Sequence, residues 1–192
     1  DRVAADNVVT GWAEIAGRRV CVAADDGTTV GGAGSILNVE KRFRLRRLAL
    51  EQGCPFIGLY EGSAIRFQDS MDAGIMARIP AFKEVIECAG AIPQFAGVFG
   101  PAFGRPPMDV LYADFSVQVN GTGHLALSGP SLVEGGIGER ADLGELAGPD
   151  MTVHRNGIVD RSVDTEREAL VEAGAGFLSL VFRAVFPCWP RC

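Results

Sequence analysis

The sequence predicts a layered α/β fold in which parallel strands alternate with helices. Two similar glycine-bearing turns each follow an apolar strand: Glu61–Ala64 comes after Cys54–Tyr60, and the turn at Gly104 comes after Ala91–Phe99. The two strands start about forty residues apart, which leaves room for a crossover helix between parallel neighbours. Ligands in such folds bind at the carboxyl ends of the strands, so we expect both turns to converge on one ligand.

The first predicted elements are a hairpin and a long helix. Ser35 is placed to cap the helix, because its hydroxyl can accept a hydrogen bond from an N–H of the first turn, and Gly53 is placed to end it. The basic residues between Lys41 and Arg47 fall outside the apolar stripe and are expected to face solvent. The predicted bounds are strands Val8–Ile15 and Arg19–Ala24 and helix Ile36–Gln52.

The rest of the chain continues the alternation of strand, turn and helix. A chain of 192 residues suits one domain, so we expect residues 1–192 to form a single domain with residues 171–192 as a C-terminal tail. The further predicted elements are a helical pattern from Ile65 to Cys88 broken at Pro80, a short helix after Gly104, strands Phe115–Val119 and Gly123–Ser128, a helix beginning at Pro130, an acidic loop Gly135–Pro149, a weak strand Val153–Val159 and a helix capped by Asp164.

Composition narrows the classes of function. The formal net charge of -6 argues against a general nucleic-acid or membrane-surface binder. The five cysteines include no CxxC pair and no metal-ligand spacing, which favours a reduced, cytoplasmic setting and no metal site. No apolar run is long enough to span a bilayer.

Nine short signatures occur in a fixed order from about Val8 to about Leu170. They are Val8–Gly11, Gly31–Gly32, the helix that carries Lys41, Gly53–Pro55, Gly62–Arg66 with Gln68, Gly100–Pro101, Ser128–Pro130, Glu145–Asp150 and His154–Asp160. In order and spacing they resemble the N-terminal domain of acyl-CoA carboxylase carboxyltransferase β subunits, of the propionyl-CoA carboxylase type.

The resemblance implies a crotonase-like fold of repeated ββα units and an acyl-CoA substrate. It implies that the subunit moves a carboxyl group between biotin, carried on a partner protein, and the α-carbon of a short acyl-CoA such as acetyl- or propionyl-CoA. The partners implied are a C-terminal-type carboxyltransferase half on another chain and a biotin carboxyl carrier, within a homo- or hetero-oligomer. Peptide N–H groups at glycine-rich turns would stabilise the enolate oxygen, which is the logic of an oxyanion hole.

The resemblance also implies which residues form the site. The candidate catalytic positions lie at the two turns: Ser63, Ala64, Gly104 and Arg105. The candidate CoA-binding positions are two glycines and two basic residues: Gly31, Gly32, Lys41 and Arg66. His124 and His154 are expected to be structural, since neither has a nucleophile beside it in the sequence.

Two departures from the family pattern leave alternatives open. The family's first glycine pair is replaced by Ser63–Ala64, and the second glycine of its later pair is replaced by Arg105, ahead of a proline that has no N–H to donate. A guanidinium at Arg105 suits a biotin-independent decarboxylase of malonyl or methylmalonyl thioesters, whose carboxylate it would orient. The loss of glycines also suits a non-catalytic scaffold subunit.

Overall fold

The computed structural model describes residues 6–62, 65–66 and 82–177. Within these ranges the strands are β1 (Val8–Ile15), β2 (Arg18–Asp25), β3 (Phe56–Tyr60), β4 (Gln94–Val98), β5 (Pro101–Phe103), β6 (Phe115–Val119), β7 (His124–Ala126) and β8 (Arg161–Val163). The α-helices are α1 (Ile36–Gln52), α2 (Lys83–Cys88), α3 (Pro106–Leu111), α4 (Pro130–Ile137), α5 (Leu143–Ala147) and α6 (Glu166–Val171). A 3₁₀ turn covers Val30–Gly32, and π-helical segments cover Asp150–Arg155 and Glu172–Phe177.

Six strands form one sheet in the order β1-β2-β3-β4-β6-β8. The hairpin partner β1 runs antiparallel to β2, and every other neighbouring pair is parallel. Strands β5 and β7 form a second, two-stranded parallel sheet. The carboxyl ends of β2, β3 and β4 therefore lie along one edge of the large sheet, as the alternation of strands and helices predicted.

Both faces of the large sheet are covered, because alternate side chains of each strand point to opposite faces. One face packs against the C-terminal segment, in a buried cluster of Val20, Ile57, Phe95, Val117, Val119, Ala169 and Ala173. The other face packs against α1 and α2, in a cluster of Val8, Cys21, Ala23, Leu45, Ala49, Cys54, Phe56, Cys88 and Ile92. The apolar runs of β3 and β4 thus have the double burial expected of strands inside an α/β layer.

Several predicted elements are confirmed at their ends. The Ser35 hydroxyl accepts the Leu37 N–H at 3.0 Å, and Gly53 ends α1 in the left-handed conformation with φ 63°. Pro130 occupies the first turn of α4, where its missing N–H costs no hydrogen bond. No residue of α4 is buried, and Leu132 and Ile137 are 69% and 68% exposed.

Other predicted elements are wrong. Ile65 forms a β-bridge with Gly34 rather than starting a helix, and residues 67–81 of that predicted helix lie outside the described residues. The stretch Gly135–Pro149, predicted as a loop, contains the end of α4 and all of α5. Helix α5 begins where the Asp142 carboxylate accepts hydrogen bonds from two backbone N–H groups. The expected strand Val153–Val159 is wrong: it begins in the π-helical segment Asp150–Arg155 and continues without regular structure, and the strand is β8, which begins eight residues later.

The π-helical turn is held by a buried amide that the apolar pattern does not reveal. Gln118, fully buried on β6, donates to the carbonyl oxygens of Gly123 and Ala147 at 2.9 and 3.0 Å. Its own carbonyl accepts the Thr152 hydroxyl at 2.6 Å. Every hydrogen-bonding group of this side chain is satisfied, so it fixes the segment against the sheet at low cost.

The N-terminal cap of α6 differs from the one predicted. Thr165, not Asp164, caps α6: its hydroxyl accepts the Glu168 N–H at 3.2 Å, and the Glu168 carboxylate accepts the Thr165 N–H at 3.2 Å. This reciprocal pair is a capping box, which satisfies two N–H groups at once. The predicted tail begins at the last residue of α6, and residues 178–192 lie outside the described residues. Among the described helices, none is long and apolar enough to cross a membrane.

Replacing Thr165 with alanine is expected to lower the free energy of unfolding by about 1 kcal/mol, because the capping bond to Glu168 is lost. Urea denaturation followed by circular dichroism measures the change. Asp164→Ala is the matched control and should cost only a few tenths of a kcal/mol, since its carboxylate makes one exposed hydrogen bond, to Asn120. The opposite order of the two values would show that Asp164 is the cap.

Candidate functional site

Three glycine-bearing turns meet at the carboxyl edge of the sheet. Val30–Gly32 follows β2, Glu61 and Gly62 follow β3, and Gly104 follows β5. The Phe103 N–H donates to the Gly62 carbonyl oxygen at 3.2 Å, so the second and third turns are joined directly. The sequence predicted that the turns at Gly62 and Gly104 come together, and the structure confirms this for these two turns.

The first and second turns touch through their backbones. A Cβ atom placed on Gly32 would lie 2.5 Å from the Glu61 carbonyl oxygen, and one placed on Gly62 would lie 2.7 Å from the Gly32 carbonyl oxygen. Gly32 also has φ 71°, a conformation that favours glycine. Both positions therefore need glycine because two main chains pass at van der Waals distance.

At the third turn only the first residue of the family's glycine pair needs to be glycine. Gly104 has φ 84°, whereas Arg105 has φ -71° and ψ -42°, which any residue adopts. The Gly104 N–H donates to the Ala126 carbonyl oxygen at 3.3 Å. Within the described part of the chain the Arg105 backbone N–H has no acceptor, and it stands at the start of α3. That N–H is the candidate oxyanion donor at this turn.

Helix α1 carries a buried polar stripe that reaches all three turns. Its members, Asn38, Arg42 and Arg46, are spaced four residues apart and lie on one face of the helix. Each is at most 8% exposed. Arg44 and Arg47 are exposed as predicted, but the expectation that the whole basic run faces solvent is wrong for Arg42 and Arg46.

Asn38 and Arg42, the first two members of the stripe, connect α1 to the first and second turns. The Asn38 amide donates to Asn7 at 2.7 Å, and the Asn7 amide donates to the Gly32 carbonyl oxygen at 2.6 Å. Arg42 forms a buried ion pair with Asp25, the last residue of β2. The other Asp25 oxygen accepts the Glu61 N–H at 3.4 Å, so Asp25 connects Arg42 with the second turn.

Arg46 lies at the centre of a buried cluster between three helices. Its guanidinium lies 3.2 Å from an Asp109 carboxylate oxygen and 4.0 Å from a Glu84 carboxylate oxygen. It also donates to the Tyr60 hydroxyl at 3.1 Å, and that hydroxyl donates to Asp109 at 3.1 Å. Arg105 completes the cluster through ion pairs with both carboxylates.

Charge pairing favours the ionised forms of Asp109 and Arg46. Burial alone would raise the pKa of Asp109, but Arg46, Arg105 and Arg42 outweigh burial and hold that pKa below its usual range. Burial would lower the pKa of Arg46, and Asp109, Tyr60 and Glu84 raise it above the ordinary value. Three arginines face three carboxylates in this region, so the buried charges of Arg42, Arg46, Arg105, Asp25, Glu84 and Asp109 balance.

The predicted basic ligands lie at the same edge but are engaged with protein atoms. Lys41 donates to the Val8 carbonyl oxygen at the start of β1. Arg66 donates to the Ala33 carbonyl oxygen at 3.1 Å and pairs with Asp6, whose carboxylate has a lowered pKa. Burial would raise that pKa, but the Ser35 hydroxyl and Arg66 outweigh it. The Arg66 side chain is 23% exposed, so one side of it still faces solvent.

The other predicted positions are Ser63, Ala64, Gly31 and the two histidines. Ser63 and Ala64 lie outside the described residues. Gly31 has φ 61° and precedes the crowded Gly32. His124 pairs with Pro101 between β7 and β5 and lines a surface groove of about 890 Å³ together with Arg140 and Arg155. His154 lies in the π-helical segment Asp150–Arg155. Among the described residues, no group of three His, Cys, Asp or Glu side chains is placed to hold a metal ion.

The sequence reasoning missed Arg46, Glu84, Asp109 and Tyr60. One signal was available: Arg42 and Arg46 occupy the same helical face as the buried Val39 and Ala49, where apolar residues are expected. The acidic partners lie 38 and 63 residues further along the chain from Arg46, and nothing in a single sequence connects them to it.

The fold and this edge define a class: an α/β layer with glycine-bearing turns at the carboxyl edge of a largely parallel sheet. It is the fold of crotonase-type carboxyltransferases. The transcarboxylase 12S structure with bound methylmalonyl-coenzyme A superposes with a TM-score of 0.80 at 27% identity, over 92% of this chain and 34% of that one.

Sequence comparison agrees with the fold. Residues 1–181 match the carboxyl transferase domain family, and the chain belongs to that family. It is 33% identical over 171 residues to the propionyl-CoA carboxylase beta chain of Saccharopolyspora erythraea, covering 88% of this chain and 31% of that protein. It is 31% identical over 165 residues to a biotin-dependent acetyl-/propionyl-coenzyme A carboxylase beta5 subunit of Mycobacterium tuberculosis, covering 85% of this chain. The chain thus spans about a third of the length of these relatives.

Arg46→Met is expected to lower the free energy of unfolding by about 3–5 kcal/mol, because it leaves the buried carboxylates of Asp109 and Glu84 short of a partner. Urea denaturation of the purified protein measures the loss. Arg44→Met is the control on the same helix. It removes an exposed pair with Glu40 and should change stability by no more than about 0.5 kcal/mol.

Gly32→Ala is expected to destabilise the protein by more than Gly31→Ala. Both glycines have positive φ, which costs alanine about 1–2 kcal/mol. Only Gly32 adds a steric clash, since a Cβ on Gly31 would meet nothing within 4 Å. Thermal or urea unfolding of the two variants measures the difference. Equal losses would mean that the two turns do not pack backbone to backbone.

Proposed function

We propose that this domain binds a short acyl-CoA and stabilises the enolate of its thioester, as one half of a carboxyltransferase. The second half is a C-terminal-type carboxyltransferase domain on another chain, and the biotin is carried by a partner protein. The observation that carries the proposal is the convergence of the three turns, with the Arg105 backbone N–H unpaired among the described residues. The relatives named for acetyl- or propionyl-CoA carboxylation support the acyl-chain class.

The task of this chain in the reaction is to stabilise negative charge on the thioester carbonyl oxygen. Removing the α-proton of the thioester places negative charge on its carbonyl oxygen, and a preorganised N–H stabilises that charge at the moment it develops. A single donor of this kind contributes about 3 kcal/mol to the transition state. Ser63 and Ala64 would supply the opposite turn of the hole, as the family resemblance implies.

The remaining site residues would hold the CoA. Gly31 and Gly32 bring the first turn close to the second, so that an extended ligand could lie along the backbone at this edge. Lys41 and the exposed side of Arg66 offer positive charge there for the CoA phosphates. Biotin would supply the carboxyl group from its ureido nitrogen: that N–carboxyl bond would break as the α-carbon gains the carboxyl group, and the nitrogen would take up the α-proton.

Among the described residues, no structural feature favours the decarboxylase alternative. In that alternative the Arg105 guanidinium holds a substrate carboxylate, but the side chain already lies against Glu84 and Asp109. Its charge is therefore balanced inside the protein before any substrate arrives.

The test is turnover by the full-length protein with its partner chain and biotin carrier. We expect acetyl- or propionyl-CoA to gain a carboxyl group, seen by mass spectrometry of the thioester, only when carboxylated carrier is present. Gly104→Ala should lower this turnover by about 100-fold, because alanine disfavours φ 84° and the following N–H shifts.

Gly121→Ala is the matched control, since Gly121 has a similar φ of 78° in open space. It should retain turnover. Conversion of malonyl- or methylmalonyl-CoA without biotin would establish the decarboxylase instead. Absence of both binding and turnover in the wild-type assembly would favour the scaffold.

A further inference from the structure

We propose that Glu84 and Asp109 are positioning residues for the oxyanion donor: they clamp the Arg105 guanidinium and thereby fix the backbone N–H of the Gly104–Arg105 peptide. The inference rests on the proposed function, because it assumes that this N–H meets the thioester oxygen. It assigns a role to the arginine that stands where the family has its second glycine. In this role Arg105 acts through its main chain, and its side chain is the anchor.

The clamp is built from side chains of unequal burial. The Glu84 and Asp109 carboxylates are 2% and 1% exposed, whereas the Arg105 side chain is 19% exposed. One guanidinium nitrogen is hydrogen-bonded to Glu84, and Nε lies 3.7 Å from Asp109 Oδ1. The guanidinium carbon also lies 5.5 Å from the centre of the Phe82 ring, beside the start of α2. The arginine is therefore held by α2 and by its own helix α3.

Local preferences oppose the backbone conformation that the clamp maintains. Arg105 precedes Pro106, and a residue before proline is driven away from the α region by a clash with the proline ring. Arg105 nevertheless has φ -71° and ψ -42°. A first residue ahead of a helix also usually has extended rather than helical angles. Tertiary contacts must hold this residue against both preferences, and the described tertiary contacts of its side chain are those with Glu84 and Phe82.

The clamp also sets the spacing between two turns. The same Asp109 carboxylate that faces Arg105 accepts the Tyr60 hydroxyl at 3.1 Å. Tyr60 immediately precedes the Glu61–Gly62 turn, so Asp109 is connected to the residues on either side of the proposed ligand position. Arg46 forms ion pairs with both Glu84 and Asp109, so the two carboxylates that hold Arg105 belong to one continuous network.

The experiment compares two ligands on the full assembled protein. Propionyl-CoA has the carbonyl oxygen that the Arg105 N–H would meet, and its thioether analogue has two hydrogens in its place. We expect the wild-type protein to bind propionyl-CoA about 10-fold more tightly, which is the effect of one hydrogen bond. In Glu84→Gln that ratio should fall towards one, because the affinity for propionyl-CoA drops about 10-fold while the affinity for the thioether is retained, and turnover should be lowered about 10- to 100-fold.

Control variants separate positioning from folding. Glu87→Gln makes the same change on the same helix at an exposed pair with Lys83, and should leave both ratio and turnover at wild-type values. Because Glu84→Gln unbalances buried charge, Glu84→Gln/Arg105→Met removes one charge of each sign and provides a second folded variant. Arg105→Lys keeps the charge but cannot reach both carboxylates, so its turnover should lie between wild type and the double variant.

The outcomes are distinguishable. Loss of carbonyl discrimination in a folded variant, with thioether affinity retained, supports the inference. An unchanged ratio in folded Glu84→Gln and in the double variant overturns it, as does an equal loss of both ligands. A wild-type protein that binds neither ligand overturns the proposed function itself, and this inference with it.

Discussion

The structure depends on the burial of Arg46 among carboxylates supplied by two other helices. Burying a guanidinium is costly unless it is paired and hydrogen-bonded, and here Asp109 and Glu84 pair with its charge while Tyr60 accepts one hydrogen bond from it. Its Nε and Nη1 atoms have no hydrogen-bond partner among the described residues. The partners come from α2, α3 and the end of β3, so the pairing cannot form until these elements are docked. An interaction of this kind adds little net stability over an apolar core of equal volume, but it selects one arrangement of the helices. That arrangement brings the glycine-bearing turns together.

The site is consequently a property of the backbone supported by charged side chains beneath it. Glycines at positions 32 and 62 allow two main chains to touch, and the polar stripe of α1 connects each turn to the helix layer. Chemistry of enolate type requires donors in fixed places more than it requires a titrating side chain. The proposed function assigns the chemistry to a backbone N–H group and its positioning to charged side chains, which meets that requirement.

The sequence predicted the layering, the hairpin, α1 with both of its caps, and the meeting of the turns, because these follow from local periodicity and from glycine placement. It did not predict β5, β8, α5 or the capping role of Thr165, where short segments are decided by tertiary contacts such as those of Gln118. It missed the buried cluster for a different reason. Arginine in a helical pattern is usually at the surface, and the acids that bury Arg46 are far from it in sequence. Glycine placement located the turns, whereas only the three-dimensional structure showed what supports them.

The charge-balanced cluster has a consequence for how the protein responds to heat. Hydration of charged groups becomes less favourable as temperature rises, so the penalty for keeping Arg46, Glu84 and Asp109 out of water falls on warming. The contribution of apolar burial levels off over the same range. The region around the turns should therefore lose less of its support on heating than the purely apolar interfaces of the sheet, and fraying would begin away from the candidate site.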